Sequence, residues 1–154
     1  MNYFRLLNRK IHTARSFQWG DWGILARAWL ELLYVDILLR TQPFPRVRQA
    51  VMVHRNETRQ IPSDQAWKII RRYQRLVGVA SHYHLYPMEC LRQALTLQAM
   101  LAGQGIATLL RFGARKENGR LLAHAWLDYE SESIELDHSV TERFEPLLGL
   151  DDGA

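Results

Sequence analysis

A change of hydrophobic period at Gly103-Gln104-Gly105 sets the strongest limit on what this chain can fold into. Upstream of it apolar residues recur every three or four positions, and downstream they alternate. From Trp22 to Arg40, residues Trp22, Leu25, Trp29, Leu32 and Leu33 fall at helical spacing, with Arg27 and Glu31 four apart on another face, which predicts an amphipathic helix. The prolines of Thr41-Gln42-Pro43-Phe44-Pro45 end it, because proline lacks an N–H and disfavours helical geometry in the residue before it. A second element is expected near Arg46. Pro62-Ser63-Asp64 reads as another helix start, followed by an apolar stripe of Ala66, Ile69, Ile70, Tyr73, Leu76 and Val77 backed by Arg71, Arg72 and Arg75. After the looser segment GVASHYHLYP, Pro87 introduces a helix from Met88 to Ala102. One of its faces carries Leu91, Ala94, Leu95 and Leu101, and Gly103 or Gly105 supplies the stop.

From Ile106 the pattern is that of strands: IATLLRFGA, a turn at Lys116-Glu117-Asn118-Gly119, LLAHAWLDYE, a polar turn, and SIELD. The expectation is an α+β chain. A helical N-terminal region over residues 1–60 precedes a core over residues 61–154, in which one helix leads into an antiparallel meander. A length of 154 residues is that of a single domain.

Composition removes several function classes. With 47% hydrophobic and 23% charged residues the chain is too apolar for a disordered segment. The most apolar stretch, Ile24 to Leu39, is broken by Arg27, Glu31 and Asp36, so no membrane span is expected, and the opening residues MNYFRLLNRK lack a secretory apolar run. A cytoplasmic location follows as the expectation. Residues 1–60 carry 10 basic and 4 acidic groups, residues 61–116 carry 8 and 2, and residues 117–154 carry 2 and 10. The arginines are scattered among apolar positions and form no basic run, so nucleic acid is not the expected partner. No Gly-rich phosphate loop is present.

Cys90 stands alone in the sequence, which rules out an intrachain disulfide and a cysteine zinc cluster. It falls three residues after Pro87, in the first turn of a predicted helix, where orphan N–H groups favour a thiolate. A lone cysteine is also a good small core residue. His124 lies in the strand-like LLAHAWLDYE, where Leu122, His124, Trp126 and Asp128 alternate onto one face; it reads either as a base for the thiol or as a core histidine. His12, His54, His82, His84 and His138 sit in polar or loop contexts and carry weaker claims. A carboxylate to orient the imidazole is available at Asp137, with Glu135 and Asp128 as rivals.

The segment Cys90-Leu91-Arg92-Gln93-Ala94-Leu95, the Gly105-Ile106 exit, the strand Leu109-Leu110-Arg111-Phe112-Gly113 and Ala123-His124-Ala125-Trp126-Leu127 resemble the transglutaminase-like cysteine enzymes. Within these the likeness is to the leader peptidases of lasso-peptide biosynthesis. Ala28-Trp29-Leu30-Glu31-Leu32-Leu33 and Leu39-Arg40-Thr41-Gln42-Pro43-Phe44 are similar to that family's helical N-terminal region. The resemblance implies a papain-like core with Cys90 as nucleophile, His124 as base and Asp137 as orienting acid. It further implies hydrolysis of one peptide bond between leader and core of a ribosomal precursor peptide, with no metal or nucleotide cofactor. A separate leader-recognition protein and an ATP-dependent ring-closing cyclase are the implied partners, because residues 1–60 read as helices and leave no room for a β-rich recognition domain. The oxyanion would rest on backbone N–H groups at the Cys90 turn, Gln93 lying one turn too far in. Tyr83, Tyr86 and Trp126 are near enough in sequence to face substrate, or else to pack the core. The same triad would also serve acyl transfer to an amine, and a non-catalytic scaffold binding through the Trp-rich helix is the alternative outside enzymes.

Overall fold

The computed structural model describes residues 19–52, 61–117, 120–136 and 145–146. They form helices α1 (Trp19–Thr41), α2 (Phe44–Met52), α3 (Ser63–His82) and α4 (Cys90–Ala102), then strands β1 (Leu109–Glu117), β2 (Arg120–Tyr129), β3 (Glu132–Ile134) and β4 (Glu145–Pro146). The α+β class and the passage from helices to antiparallel strands are as the hydrophobic period predicts.

Helix α3 follows its pattern closely: Ala66, Ile70, Tyr73, Leu76 and Val77 are buried and Ile69 is half-buried. Pro62 occupies its N-cap without a side-chain capping bond, and the Ser63 hydroxyl instead donates to the Glu130 carboxylate of the β2–β3 turn. Two expectations need correction. First, α1 is not amphipathic in the simple sense, since Trp19, Trp22, Leu30, Tyr34 and Ile37 are exposed while Asp21 and Asp36 are buried beside Ala28, Leu32 and Val35. The buried carboxylates are paired across helices: Arg72 of α3 binds Asp21 at 2.7 Å, and Arg92 of α4 binds Asp36 at 2.6 Å. The inward side joins these ion pairs to an apolar stripe of Ala28, Leu32 and Val35. Second, α4 has no outward face along most of its length. Every residue from Ala94 to Ala102 is buried, because α1, α2, α3, β1 and β2 all pack against this helix.

Gly103 caps α4, and Gly105, at a φ of 81°, takes the left-handed conformation that lets the chain reverse toward β1. The Ile106 N–H then reaches back to the Leu101 carbonyl at 3.0 Å. Strands β1 and β2 pair antiparallel from Leu109↔Asp128 to Glu117↔Arg120, and β3 pairs with β2 through Leu127↔Ile134 and Asp128↔Ser133. Glu130 and Ser131, with φ of 49° and 68°, form the two-residue turn between β2 and β3, a left-handed pair that matches the twist of a hairpin. This meander was expected. Strand β4, which pairs with β1 at Gly113↔Pro146 and makes the sheet order β3-β2-β1-β4, was not.

One side of the sheet closes the core. Leu110, Ala125, Leu127 and Ile134 join Leu32, Val47, Ile70, Leu95 and Leu97 in a single buried cluster. Edge-to-face ring contacts finish the seam, Phe44 on Phe112 at 5.7 Å and Trp67 on Tyr129 at 5.4 Å. Burial and the neighbouring Glu130 carboxylate raise the Tyr129 pKa above its ordinary value. Among the described residues no helix is long and apolar enough to cross a membrane.

Candidate active site

Cys90 is the first residue of α4. Glu89, extended at φ −67° and ψ 165°, is the N-cap, and its carbonyl accepts from the N–H groups of Arg92 at 3.0 Å and Gln93 at 3.2 Å. The approach to the helix is held from two sides, since the Met88 carbonyl accepts from Gln93 Nε2 at 2.5 Å and from the Ser81 hydroxyl of α3 at 3.4 Å. Gln93 is thereby engaged in fixing the helix entry. Two residues past the cysteine, Arg92 Nε reaches Asp36 Oδ1 at 2.6 Å, while Arg40 Nε binds the other oxygen at 2.8 Å. Burial opposes ionisation of Asp36, but these two hydrogen bonds and the charges behind them prevail and hold its pKa below the ordinary 3.8. The half-buried thiol of Cys90 therefore stands at a helix end that is locked to α1 and α3.

His124 lies on β2, opposite Gly113 of β1, and is 7% exposed. Alternation along the strand sets it on the same face as Trp126 and Asp128, away from Ala125 and Leu127. The Trp126 indole lies nearly parallel to the imidazole, with ring centroids 6.0 Å apart and planes 19° from parallel. Helix α4, which Cys90 heads, packs on β2 from the side of Ala125 and Leu127, and the same strand carries His124 on its other face. Asp137 lies outside the described residues.

A family model described as the transglutaminase-like superfamily matches residues 30–149. The chain belongs to the transglutaminase-like superfamily. No curated protein and no solved structure matches it. Transglutaminase-like proteins are generally cysteine-dependent enzymes of peptidase or acyl-transfer type, and the matched stretch contains Cys90, His124 and Asp137.

Within this transglutaminase-like domain Asp128, His82 and His84 have partners of their own. Asp128 accepts from Trp126 Nε1 at 3.1 Å, Ser133 Oγ at 3.0 Å and Arg111 Nε at 3.1 Å. Glu135 is half-buried, and its backbone carbonyl takes the Gln74 Nε2 bond at 2.5 Å. His84 stacks on Trp29 at 4.7 Å and His82 meets Tyr83 edge-on, whereas His12, His54 and His138 lie outside the described residues. Tyr83 and Tyr86 are exposed on the loop that leads into Cys90, with the Arg40 guanidinium 5.9 Å from the Tyr86 ring, and Trp126 is half-buried. Beyond Asp128 the strand ends border a cavity of about 370 Å³ lined by Thr108, Leu109, Arg111, Asp128, Tyr129 and Glu130 among others. Arg92 and Arg111 are the residues that sequence reasoning passed over. Their partners stand 56 and 17 positions away, and only the fold joins them.

Proposed function

We propose that this chain is a cysteine peptidase that removes the leader from a ribosomally made lasso-peptide precursor, with Cys90 as nucleophile, His124 as base and Asp137 as orienting acid. The observation that carries the reading is a cysteine at the head of a buried helix that packs on a strand bearing a buried histidine, inside a transglutaminase-like domain. Support for Asp137 comes from the sequence: it follows His124 by 13 residues inside the stretch that the transglutaminase-like family model matches, and a carboxylate is the group that fixes an imidazole's tautomer and orientation.

In the reaction the Cys90 thiolate adds to the carbonyl carbon of the scissile peptide bond, and the carbonyl electrons pass to an oxyanion held by backbone N–H groups of the α4 start. As the intermediate collapses the C–N bond breaks. The His124 imidazolium gives its proton to the departing core amine, leaving the leader as a thioester on Cys90. His124 then takes a proton from water, hydroxide adds to the thioester, and the leader carboxylate departs with the thiolate restored. A separate leader-recognition protein would hold the precursor near the site, and an ATP-dependent cyclase would consume the released core amine.

The test incubates the purified chain and its leader-recognition protein with the precursor peptide encoded beside its gene, read by mass spectrometry. Free leader and free core peptide are expected, and Cys90→Ala should give neither. Cleavage by Cys90→Ala near the parent rate would overturn the assignment, and a leader–amine adduct in place of free leader would move the activity to acyl transfer.

A further inference from the structure

We propose that Asp128 is a positioning residue for His124, acting through the indole of Trp126. The inference rests on the reading of His124 as the base, and the geometry that motivates it is independent of that reading. Asp128 is tied across three strands: Trp126 Nε1 of β2 and Ser133 Oγ of β3 donate to its Oδ1 at 3.1 and 3.0 Å, and Arg111 Nε of β1 donates to its Oδ2 at 3.1 Å. Its side chain is 24% exposed, so burial alone does not dictate this arrangement. A stacking contact by itself is compatible with several tilts of an indole. Anchoring Nε1 at the far edge of the ring fixes both side-chain torsions of Trp126 and selects one plane. That plane lies 19° from the imidazole plane at 6.0 Å, so the anchored indole is a wall along one face of His124. Arg111 pairs across the strands with Trp126 and holds the carboxylate from the other side, which keeps the anchor from swinging away. Asp128 thereby does for the ring orientation of His124 what Arg92 and Gln93 do for the Cys90 turn.

The experiment uses the full chain and two readouts, the ring-proton shifts of His124 in ¹H–¹³C spectra and the rate at which iodoacetamide alkylates Cys90 at neutral pH. In Asp128→Ala the His124 shifts should move toward those of free imidazole as the indole loses its fixed plane. Alkylation should slow about tenfold, well inside the range that misplacing a catalytic group produces. Trp126→Phe should do the same, and the double variant should be no slower than the slower single one, because both changes remove one device. Asp128→Asn keeps an oxygen for the indole N–H and should stay within about threefold of the parent. If Asp128→Ala does not fold, the contrast between Trp126→Phe and Asp128→Asn decides the matter alone.

Unmoved His124 shifts in Asp128→Ala or in Trp126→Phe overturn the proposal, and so do additive slowing in the double variant or an Asp128→Asn as slow as Asp128→Ala. Faster alkylation in Asp128→Ala also overturns it, since loosened packing exposes the half-buried thiol instead of weakening its base. A His124→Ala variant alkylated at the parent rate would remove His124 as the base and with it the peptidase reading. The His124 shifts would still decide whether Asp128 orients the ring.

Discussion

At the head of α4, Arg92 reaches from the Cys90 turn to Asp36 on α1, whereas on the sheet Arg111 reaches from β1 to Asp128, four residues along β2 from His124. Both are arginine–aspartate pairs near a residue of the proposed triad, yet their surroundings differ. The Asp36 side chain is 6% exposed and is neutralised by two arginines, while Asp128 is 24% exposed and shares its oxygens among a guanidinium, an indole and a hydroxyl. A buried carboxylate stripped of its partners costs far more than a partly solvated one. The helix end is therefore held by a contact whose loss threatens the fold, and the strand by one whose loss disturbs a ring plane. Stability and orientation are assigned to different sides of the site.

The largest effects test whether the two sides serve one reaction. Cys90→Ala and His124→Ala should each lower leader cleavage by at least about a thousandfold, since members of such a unit fail together. Asp137→Asn should fall somewhat less. If Asp128→Asn or Glu135→Gln proved more damaging than Asp137→Asn, the orienting acid would have to be reassigned and the contrast between the two arginine–aspartate pairs would collapse.

Next in size is the buried pair. Asp36→Ala should destabilise the fold by about 2–3 kcal/mol, measured by denaturant midpoints, because it removes the charge-assisted hydrogen bonds from Arg92 and Arg40 and leaves Arg92 only its 3.4 Å contact with Glu89. The pH dependence has a definite sign. A carboxylate whose folded pKa is depressed contributes stability that is present above its ordinary value of 3.8 and lost as pH falls through the folded one. The gap between parent and Asp36→Asn should thus be full at neutral pH and should narrow below about pH 4. A gap that stayed constant to strongly acidic pH would mean that packing, and not ionisation, makes Asp36 important.

The same contrast explains what could be read in the sequence. Helix α3 was legible because Ala66, Ile70, Tyr73, Leu76 and Val77 carry their own period, and β1 and β2 because His124, Trp126 and Asp128 alternate with Ala125 and Leu127. Helix α1 misleads: with apolar residues around its whole circumference, its inward side also holds Asp21 and Asp36, whose partners on other helices, Arg72 and Arg92, lie 51 and 56 residues away. Strand β4 is two residues, Glu145–Pro146, too short for any alternation. Of the site, Cys90 at a helix start and His124 on a strand were legible from local signals, since Pro87 and the alternation are adjacent to them. The second job of Asp128 was not, because its donors come from three strands whose register no single segment encodes.

The smallest effect calibrates the others. Lys68 and Asp64, four apart on α3, form a further acid–base pair at 3.7 Å, with side chains 80% and 75% exposed. Water already solvates both charges, so forming the pair replaces good hydration with a weak attraction and restricts two flexible side chains. Lys68→Ala should therefore change stability by no more than a few tenths of a kcal/mol. Asp128→Ala, intermediate in exposure, should cost about 1–2 kcal/mol through the hydrogen bonds it abandons. If exposure decides the worth of each pair, the order Asp36, Asp128, Asp64 must hold in denaturant midpoints, and the Lys68 effect should vanish in high salt while that of Asp36 persists. A Lys68→Ala loss as large as that of Asp128→Ala would show that α3 needs this pair to hold its first turn. Burial would then no longer explain why the Cys90 and His124 sides respond differently.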